Sequence, residues 1–171
     1  MDLLHFDPQP LYFEEPLPDT VHALIEEAGL CFGEPHAEVL LEEAAALAPD
    51  HLVVQVARYR YHFYRHHLDE ATAIAQQVIA SVGRRLGLPA DGRGVDPAGV
   101  AAAAAQSMTL TRFYLSALKA LAYLRLRQGD TAGAVRLLET LLAIDAADRL
   151  GGRALLDIAH ARQVELAATA P

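Results

Sequence analysis

The residues best suited to chemistry or binding form one run, from Arg58 to His67, in which arginine, tyrosine and histidine dominate. Arginine and tyrosine are the side chains most often found at binding hot spots. Within the run, His62 and His66 are four residues apart, a spacing at which two histidines on one helix face can share a metal ion. Glu70 follows four residues later, but we expect the helix to end near His66 and to turn that carboxylate away. A metal site through His62 and His66 is therefore a minor alternative to an ordinary polar helix end.

Signatures of catalysis are weak elsewhere in the sequence. The glycines of the 87–94 segment precede a helix but follow no strand, so they do not form a phosphate-binding loop. Cys31 is the single cysteine, which excludes an internal disulfide, and no pattern pairs it with a base. Lys119 is the one lysine of an acidic chain, which argues against nucleic acid as a partner. We therefore expect a protein that is not an enzyme and that has no cofactor.

The charge of the chain is divided along its length. Residues 1–57 contain twelve Asp or Glu and no Lys or Arg, whereas the remaining 114 residues have a net charge of +4. The whole chain of 171 residues has a net charge of −8 and is long enough for one domain with a continuous core. Solvent-exposed acidic helix faces are one explanation, and attraction of the acidic part to the basic part or to a partner is the other.

Amphipathic helices must position these side chains. Apolar residues recur at steps of three and four, and alanine and leucine outnumber β-branched residues, so the sequence predicts an all-α fold of about eight helices. The apolar stripes of the first, second and last helices are expected to include Leu30, Leu47 and Val164. Asp96 is expected to cap a further helix over the Ala101–Ala105 run.

A repeat of 34 residues organises the helices. Ala37 and Ala71 lie 34 residues apart, each near the start of a helix that follows another helix, and Ala134 follows Ala71 by one repeat plus a 29-residue insertion. A single helix pair cannot bury its apolar face, so the pairs must stack and form a long concave surface. The expected organisation is an arm at 1–17, repeats at about 18–51, 52–85 and 115–148, an insertion at 86–114 and a capping helix at 149–168.

These steps resemble the tetratricopeptide repeat family. In that family an alanine opens the second helix of each pair, a large residue follows four later, a small one three after that, and a proline five further on. Four residues match all of these steps: Ala37, Leu41, Ala44 and Pro49. Gly129-Asp130 matches the family's turn between paired helices. The resemblance implies a right-handed α-solenoid of stacked helix-turn-helix repeats that binds other proteins.

A second resemblance is to short repeat proteins that accompany nitrogen-fixation genes in bacteria. It rests on three segments: Tyr61-His62-Phe63-Tyr64-Arg65, Arg85-Leu86-Gly87-Leu88-Pro89 and Asp148-Arg149-Leu150-Gly151-Gly152-Arg153. This resemblance implies a bacterial protein with a role in the context of nitrogen fixation.

The repeat register predicts a basic and aromatic groove on the concave side. Eight residues are expected to line it: Val56, Arg60, Phe63, Tyr64, Lys119, Tyr123, Leu126 and Arg127. We expect the groove to bind a protein or peptide that is acidic or ends in a carboxylate, with Arg60, Lys119 and Arg127 supplying the charge. Packing of the same residues against the arm or the insertion is the alternative.

The arm at 1–17 is the other candidate occupant of this groove. It is rich in proline, retains seven large apolar side chains and carries four carboxylates, which suit a basic groove. Filled by its own or a neighbouring arm, the protein would be autoinhibited or a structural homo-oligomer. The first residues lack the basic and apolar regions of a signal peptide, and no apolar run could span a membrane, so we expect a cytoplasmic protein.

Overall fold

Helices account for most of the chain that the structure describes. The computed structural model describes residues 15–169, and no strand occurs among them. The helices are α1 (Asp19–Leu30), α2 (Pro35–Leu47), α3 (Leu52–Tyr64), α4 (Leu68–Leu86), α5 (Pro97–Gln106), α6 (Met108–Arg127), α7 (Thr131–Ile144) and α8 (Arg153–Thr169). The all-α fold of eight helices is thus confirmed for these residues. The predicted arm lies outside the described residues except for its last three.

The described residues form two compact units, 15–74 and 75–169, with the boundary inside α4. In the first unit, α1 packs against α2 and α3, and α2 packs against α3. Two small cores hold these helices together, one around Ala37 and Tyr61 and the other around Ala44 and Val54. Leu17 packs on the second core, so the last residue of the predicted arm is attached to this unit.

In the second unit, α6 packs against α5 and α7, and α7 packs against α8. The central position of α6 is visible in its composition, because eleven of its residues are buried. By contrast, α1 of the first unit contributes only Val21 and Ala28 to the buried set. The long, apolar helix α6 therefore contributes much of the core of its unit, whereas α1 contributes few fully buried side chains to its own.

The helix predicted within the insertion is present as α5. The Asp96 carboxylate accepts hydrogen bonds from the amides of Ala98 and Gly99, both at 2.9 Å, which confirms the predicted cap. The alanine run packs through Ala103, which is fully buried. Ser107 then takes an extended conformation and its hydroxyl accepts from the amide of Leu110 at 3.2 Å, so α5 ends and α6 begins there.

The loop after α4 folds back onto its own helix. The Tyr114 hydroxyl of α6 donates a hydrogen bond to the carbonyl of Pro89 at 2.5 Å and fixes the loop. A Cβ atom at Gly83 would lie 3.0 Å from the carbonyl oxygens of Leu88 and Pro89. The close return of the loop therefore favours glycine at position 83.

Two of the helix-to-helix turns have the same backbone geometry. Both place a residue with positive φ after the helix, His66 at 62° after α3 and Gly129 at 86° after α6. The His67 amide donates a hydrogen bond to the His62 carbonyl, and the Asp130 amide donates one to the Arg125 carbonyl. Both hydrogen bonds are 2.9 Å long. This is the Schellman pattern of hydrogen bonds. The two turns lie 63 residues apart in sequence, the offset that separates Ala71 from Ala134.

Three side chains that the apolar pattern predicts to be buried are instead exposed. Leu30, Leu47 and Val164 are 90%, 58% and 70% exposed. Leu30 lies two residues past the buried Ala28, and Val164 lies five past the buried Ala159, so each points away from the inward face of its helix. Leu47 ends α2, where no further turn of the helix covers it.

Candidate functional site

The first half of the predicted groove lies on α3. Val56, Arg60 and Phe63 follow one another at steps of four and three on one face of the helix, and all three are half-buried. Tyr59 stacks on Phe63 with ring centroids 5.7 Å apart, which extends the aromatic surface. Tyr64 is exposed and meets Phe63 edge to face at 5.5 Å. The α3 half therefore offers aromatic area together with one guanidinium.

The second half lies on α6 and repeats these steps 63 residues later. Lys119 and Tyr123 are half-buried and Arg127 is exposed, whereas Leu126 is buried in the core and adds little to an open surface. The Lys119 ammonium donates a hydrogen bond to the Leu150 carbonyl at 2.6 Å, so it fastens the loop before α8. Lys119 thus has a structural role that the sequence did not indicate.

Arg127 is the exposed cation of the α6 half. Its guanidinium donates a hydrogen bond to the Tyr123 hydroxyl at 3.1 Å and lies 5.9 Å from the centroid of the same ring. This arrangement holds the charge over an aromatic face, as in a cation–π contact. A carboxylate arriving at this surface would meet an oriented guanidinium beside a tyrosine.

The predicted groove draws on residues of both compact units. The four α3 residues belong to residues 15–74 and the four α6 residues to residues 75–169. Within each unit the residues share a helix face as the register requires. The joining of the two halves into one groove stays a prediction.

A cluster of rings at the end of α3 was not predicted from the sequence. Phe32, in the turn after α1, contacts Tyr61 edge to face at 5.7 Å and Tyr64 at 6.4 Å. The Tyr61 hydroxyl reaches the Glu38 carboxylate of α2 at 3.4 Å, and burial raises the pKa of Tyr61. Phe32 stands in a turn, outside any helical pattern, so no periodic signal marks it as a partner of these tyrosines.

His62 pairs with His67 and not with His66. The two Nδ1 atoms of His62 and His67 are 3.4 Å apart, and His62 is 4% exposed. His66 is exposed, because its left-handed backbone carries its side chain out of the α3 register. Over residues 15–169, no three or more His, Cys, Asp or Glu side chains are grouped so as to hold a metal ion. The metal alternative through His62 and His66 therefore has no geometric support in this part of the chain.

Burial lowers the pKa of His62 from its ordinary value of 6.5. The charges of His67 and Arg58 act in the same direction, whereas Glu38 and Glu70 partly oppose the shift. The neutral imidazole is the form that the folded state prefers.

We expect acid to destabilise the protein partly through His62. Because the folded state has the lower pKa, the unfolded chain takes up the proton first, and stability falls as the pH drops through 6.5 towards the folded value. Replacing His62 with glutamine should make this decline shallower, by at most about 1.4 kcal/mol per pH unit. Urea unfolding followed by circular dichroism between neutral pH and about pH 5 measures the slope. The matched control is His160→Gln on α8, which is exposed. An unchanged slope in His62→Gln would contradict the assignment.

The fold and this surface define an all-helical protein built from helix-turn-helix pairs. No family model matches the chain, and no solved structure matches it. The tetratricopeptide resemblance therefore stays an interpretation of the repeat register. None of the helices within residues 15–169 combines the length and the apolar character needed to cross a membrane.

A relative from Azotobacter chroococcum mcd 1 places the chain in a family. That protein is described as an uncharacterized 19.8 kDa protein in the nifW 5′ region. It is 42% identical to this chain over 166 residues, which cover 97% of this chain and 93% of the relative. The chain belongs to the family of this protein. The relative's description agrees with the predicted resemblance to proteins that accompany nitrogen-fixation genes.

Proposed function

We propose that the protein is a non-catalytic interaction module that binds an acidic segment of a partner protein along α3 and α6. The observation that carries the proposal is the recurrence of one surface at the same register on both helices. Val56 and Lys119, and Arg60 and Tyr123, are pairs of half-buried residues 63 apart, and Tyr64 and Arg127 are an exposed pair at the same offset. The fourth pair, Phe63 and Leu126, differs because Leu126 is buried. Five of the six side chains in the three matching pairs are aromatic or cationic, in a chain of net charge −8.

The matching turns support a repeat architecture beneath this surface. His66 and Gly129 occupy equivalent places in turns with the same hydrogen bonds. The three register alanines, Ala37, Ala71 and Ala134, are all fully buried, as expected where paired helices approach closely. Helical repeats of this kind present extended surfaces for partner segments.

Each charged residue has its own part in the proposed contact. Arg127, oriented by Tyr123, would form charge-assisted hydrogen bonds with a carboxylate of the partner. Arg60 would supply the second cation, and Tyr64 the exposed apolar area beside it. Lys119 would contribute mainly by holding the Leu150 loop in place.

We further propose that the partner belongs to the nitrogen-fixation apparatus of a bacterium. The support is the relative, whose description places it in the nifW 5′ region. A protein that binds partner proteins without catalysing a reaction would act there in the assembly or handling of those proteins.

The chain's own N-terminal residues are a second candidate occupant. The Glu15 carbonyl lies 3.2 Å from His51 Nε2, at the start of α3. Leu17 packs on the core formed with Val54 of α3. Residues 15–17 therefore lie beside the start of the helix that carries Arg60 and Tyr64.

Affinity capture from the bacterium that encodes the chain tests both candidates. Removing the charge with Arg60→Gln and Arg127→Gln together should reduce recovery of the specific partner at least about tenfold, because two charge-assisted contacts are lost. The matched control is Arg112→Gln with Arg136→Gln, two exposed arginines on α6 and α7. Recovery is measured by quantitative mass spectrometry of the captured proteins.

Equal recovery by the double variant and the wild type would contradict the proposed surface. A further bait that lacks residues 1–14 separates the two occupants. If the N-terminal residues fill the surface, their deletion should increase capture. If they do not, capture by the shortened bait should match that of the full chain.

A further inference from the structure

The outward side of the first helix pair is a second surface, separate in character from the α3 and α6 faces. Helices α1 and α2 pack against each other, and His36 Nε2 of α2 lies 3.9 Å from the Glu27 carboxylate of α1. This contact joins the end of α1 to the start of α2, as in an antiparallel pair. The residues that face outward on both helices include Ala23, Glu27, Val39, Glu43 and Leu47, all exposed. We call these five residues the α1–α2 outer face.

The outer face carries apolar side chains that the core does not use. Val39 is 59% exposed, and it lies four residues before Glu43 and eight before Leu47 on α2. At this spacing the three residues form one stripe along the helix. The side of α2 opposite Val39, with Ala37 and Ala44, already fills the core, and Leu47 is exposed because it ends the helix. Val39 and Leu47 are thus two exposed apolar side chains on either side of Glu43, and together with the polar groups around them they form an amphipathic surface.

The charge that α1 and α2 themselves carry is negative, and the Arg65 guanidinium, which donates a hydrogen bond to the Gly33 carbonyl at 3.3 Å, lies at the turn between them. Residues 1–57 contain no lysine or arginine, and the exposed carboxylates of Glu26, Glu27 and Glu43 border the apolar side chains. Arg58 of α3 reaches back to the Glu42 carboxylate at 2.8 Å, on the side of α2 that faces α3. The outer face therefore combines apolar area with a negative potential.

We propose that the α1–α2 outer face binds a basic amphipathic helix of a partner protein. Apolar side chains of that helix would cover Val39 and Leu47, and its lysines or arginines would meet Glu27 and Glu43. A second copy joined through the same face would bring like charges together, and an anionic membrane would be repelled. Charge complementarity thus selects a cationic segment, opposite in sign to the partner proposed for α3 and α6.

A synthetic helix serves as the probe. It has about 18 residues, long enough for a stable amphipathic helix, with leucine on one side, lysine on the other and a fluorescent label. Fluorescence anisotropy measures its affinity for the full chain at about 0.02 M and about 0.15 M salt. A second probe carries glutamate in place of each lysine and should bind at least about tenfold more weakly.

Variants of the full chain then assign the site. Val39→Ser with Leu47→Ser should weaken binding at least about tenfold at both salt concentrations, because apolar contact is lost. Glu27→Gln with Glu43→Gln should weaken it about threefold or more at low salt and less at high salt. The control pair, Glu139→Gln with Val164→Ser, changes an exposed carboxylate and an exposed valine of α7 and α8 and should leave the affinity unchanged.

Three results would overturn the proposal. The first is that the control pair weakens probe binding as much as either outer-face pair does. The probe would then respond to the overall charge of the protein and not to this face. The second is binding of the glutamate probe as tight as that of the lysine probe. The third is a dimer, seen by sedimentation, that Val39→Ser with Leu47→Ser dissociates, because the face would then belong to a second copy. Circular dichroism of each variant confirms that the helices are retained.

Discussion

Replacing Tyr114 with alanine is expected to lower the free energy of unfolding by about 3–5 kcal/mol. Within residues 15–169, Tyr114 is the largest of the fully buried side chains, and it belongs to α6, the helix that packs against both α5 and α7. Its removal would leave a cavity beside α6 and also abolish the hydrogen bond that holds the Pro89 carbonyl. The loop between α4 and α5 would lose its attachment to α6.

Tyr114→Phe separates these two contributions. It keeps the ring and removes the hydroxyl, so we expect a loss of only about 0.5–1.5 kcal/mol. Burial raises the pKa of Tyr114 to about 12, with Asp91 adding to the shift. Since the folded state keeps this proton longer than the unfolded chain, stability should fall as the pH rises above 10.0, and Tyr114→Phe should reduce that fall.

Urea denaturation followed by circular dichroism measures both variants, with Tyr64→Phe as the control at an exposed tyrosine. If Tyr114→Ala cost no more than Tyr114→Phe, the ring would not be packed as described.

Leu138→Ala is the second substitution with a large expected effect, a loss of about 2–5 kcal/mol. Leu138 lies on α7, four residues after the register alanine Ala134, and both are fully buried. The helix pair α6–α7 packs across these residues. Thermal and urea unfolding measure the effect against Arg136→Ala, an exposed position of the same helix. A loss within the range of the control variant would show that the register does not identify the packed positions.

Helix periodicity predicted the fold well, because packing follows it over most of each helix. The three register alanines and the helix of the insertion lie where the sequence indicated. The errors concern helix ends and the exposure of single side chains such as Val164 and Leu126. Serine is a preferred N-cap residue, but the alanine run before Ser107 favours a continuous helix, and the extended backbone there becomes apparent only in three dimensions.

The sequence predicted which candidate-site residues share a face of one helix, but it did not predict which residues meet across a turn. The steps from Val56 to Tyr64 follow from helix geometry alone. The pairing of His62 with His67 does not, because α3 ends at Tyr64 and His66 takes a left-handed conformation. Histidines four apart suggested a shared face, but the turn carries one of them away. The bond between Lys119 and Leu150 joins residues 31 apart, and no local pattern signals it.

Helix α1 contributes few fully buried side chains, and this affects which part of the molecule unfolds first. Helices held by few buried side chains are released at lower free energy than the rest of a protein, as separate cooperative units. Val21 and Ala28 are the buried residues of α1, which makes it a natural first unit to detach in residues 15–74. Its departure would uncover Leu40 and Leu41 of α2, which now lie in the core beside Ala28. A brief opening of one short helix would thus expose the apolar residues of α2 that now lie against α1, while α2 stays packed against α3.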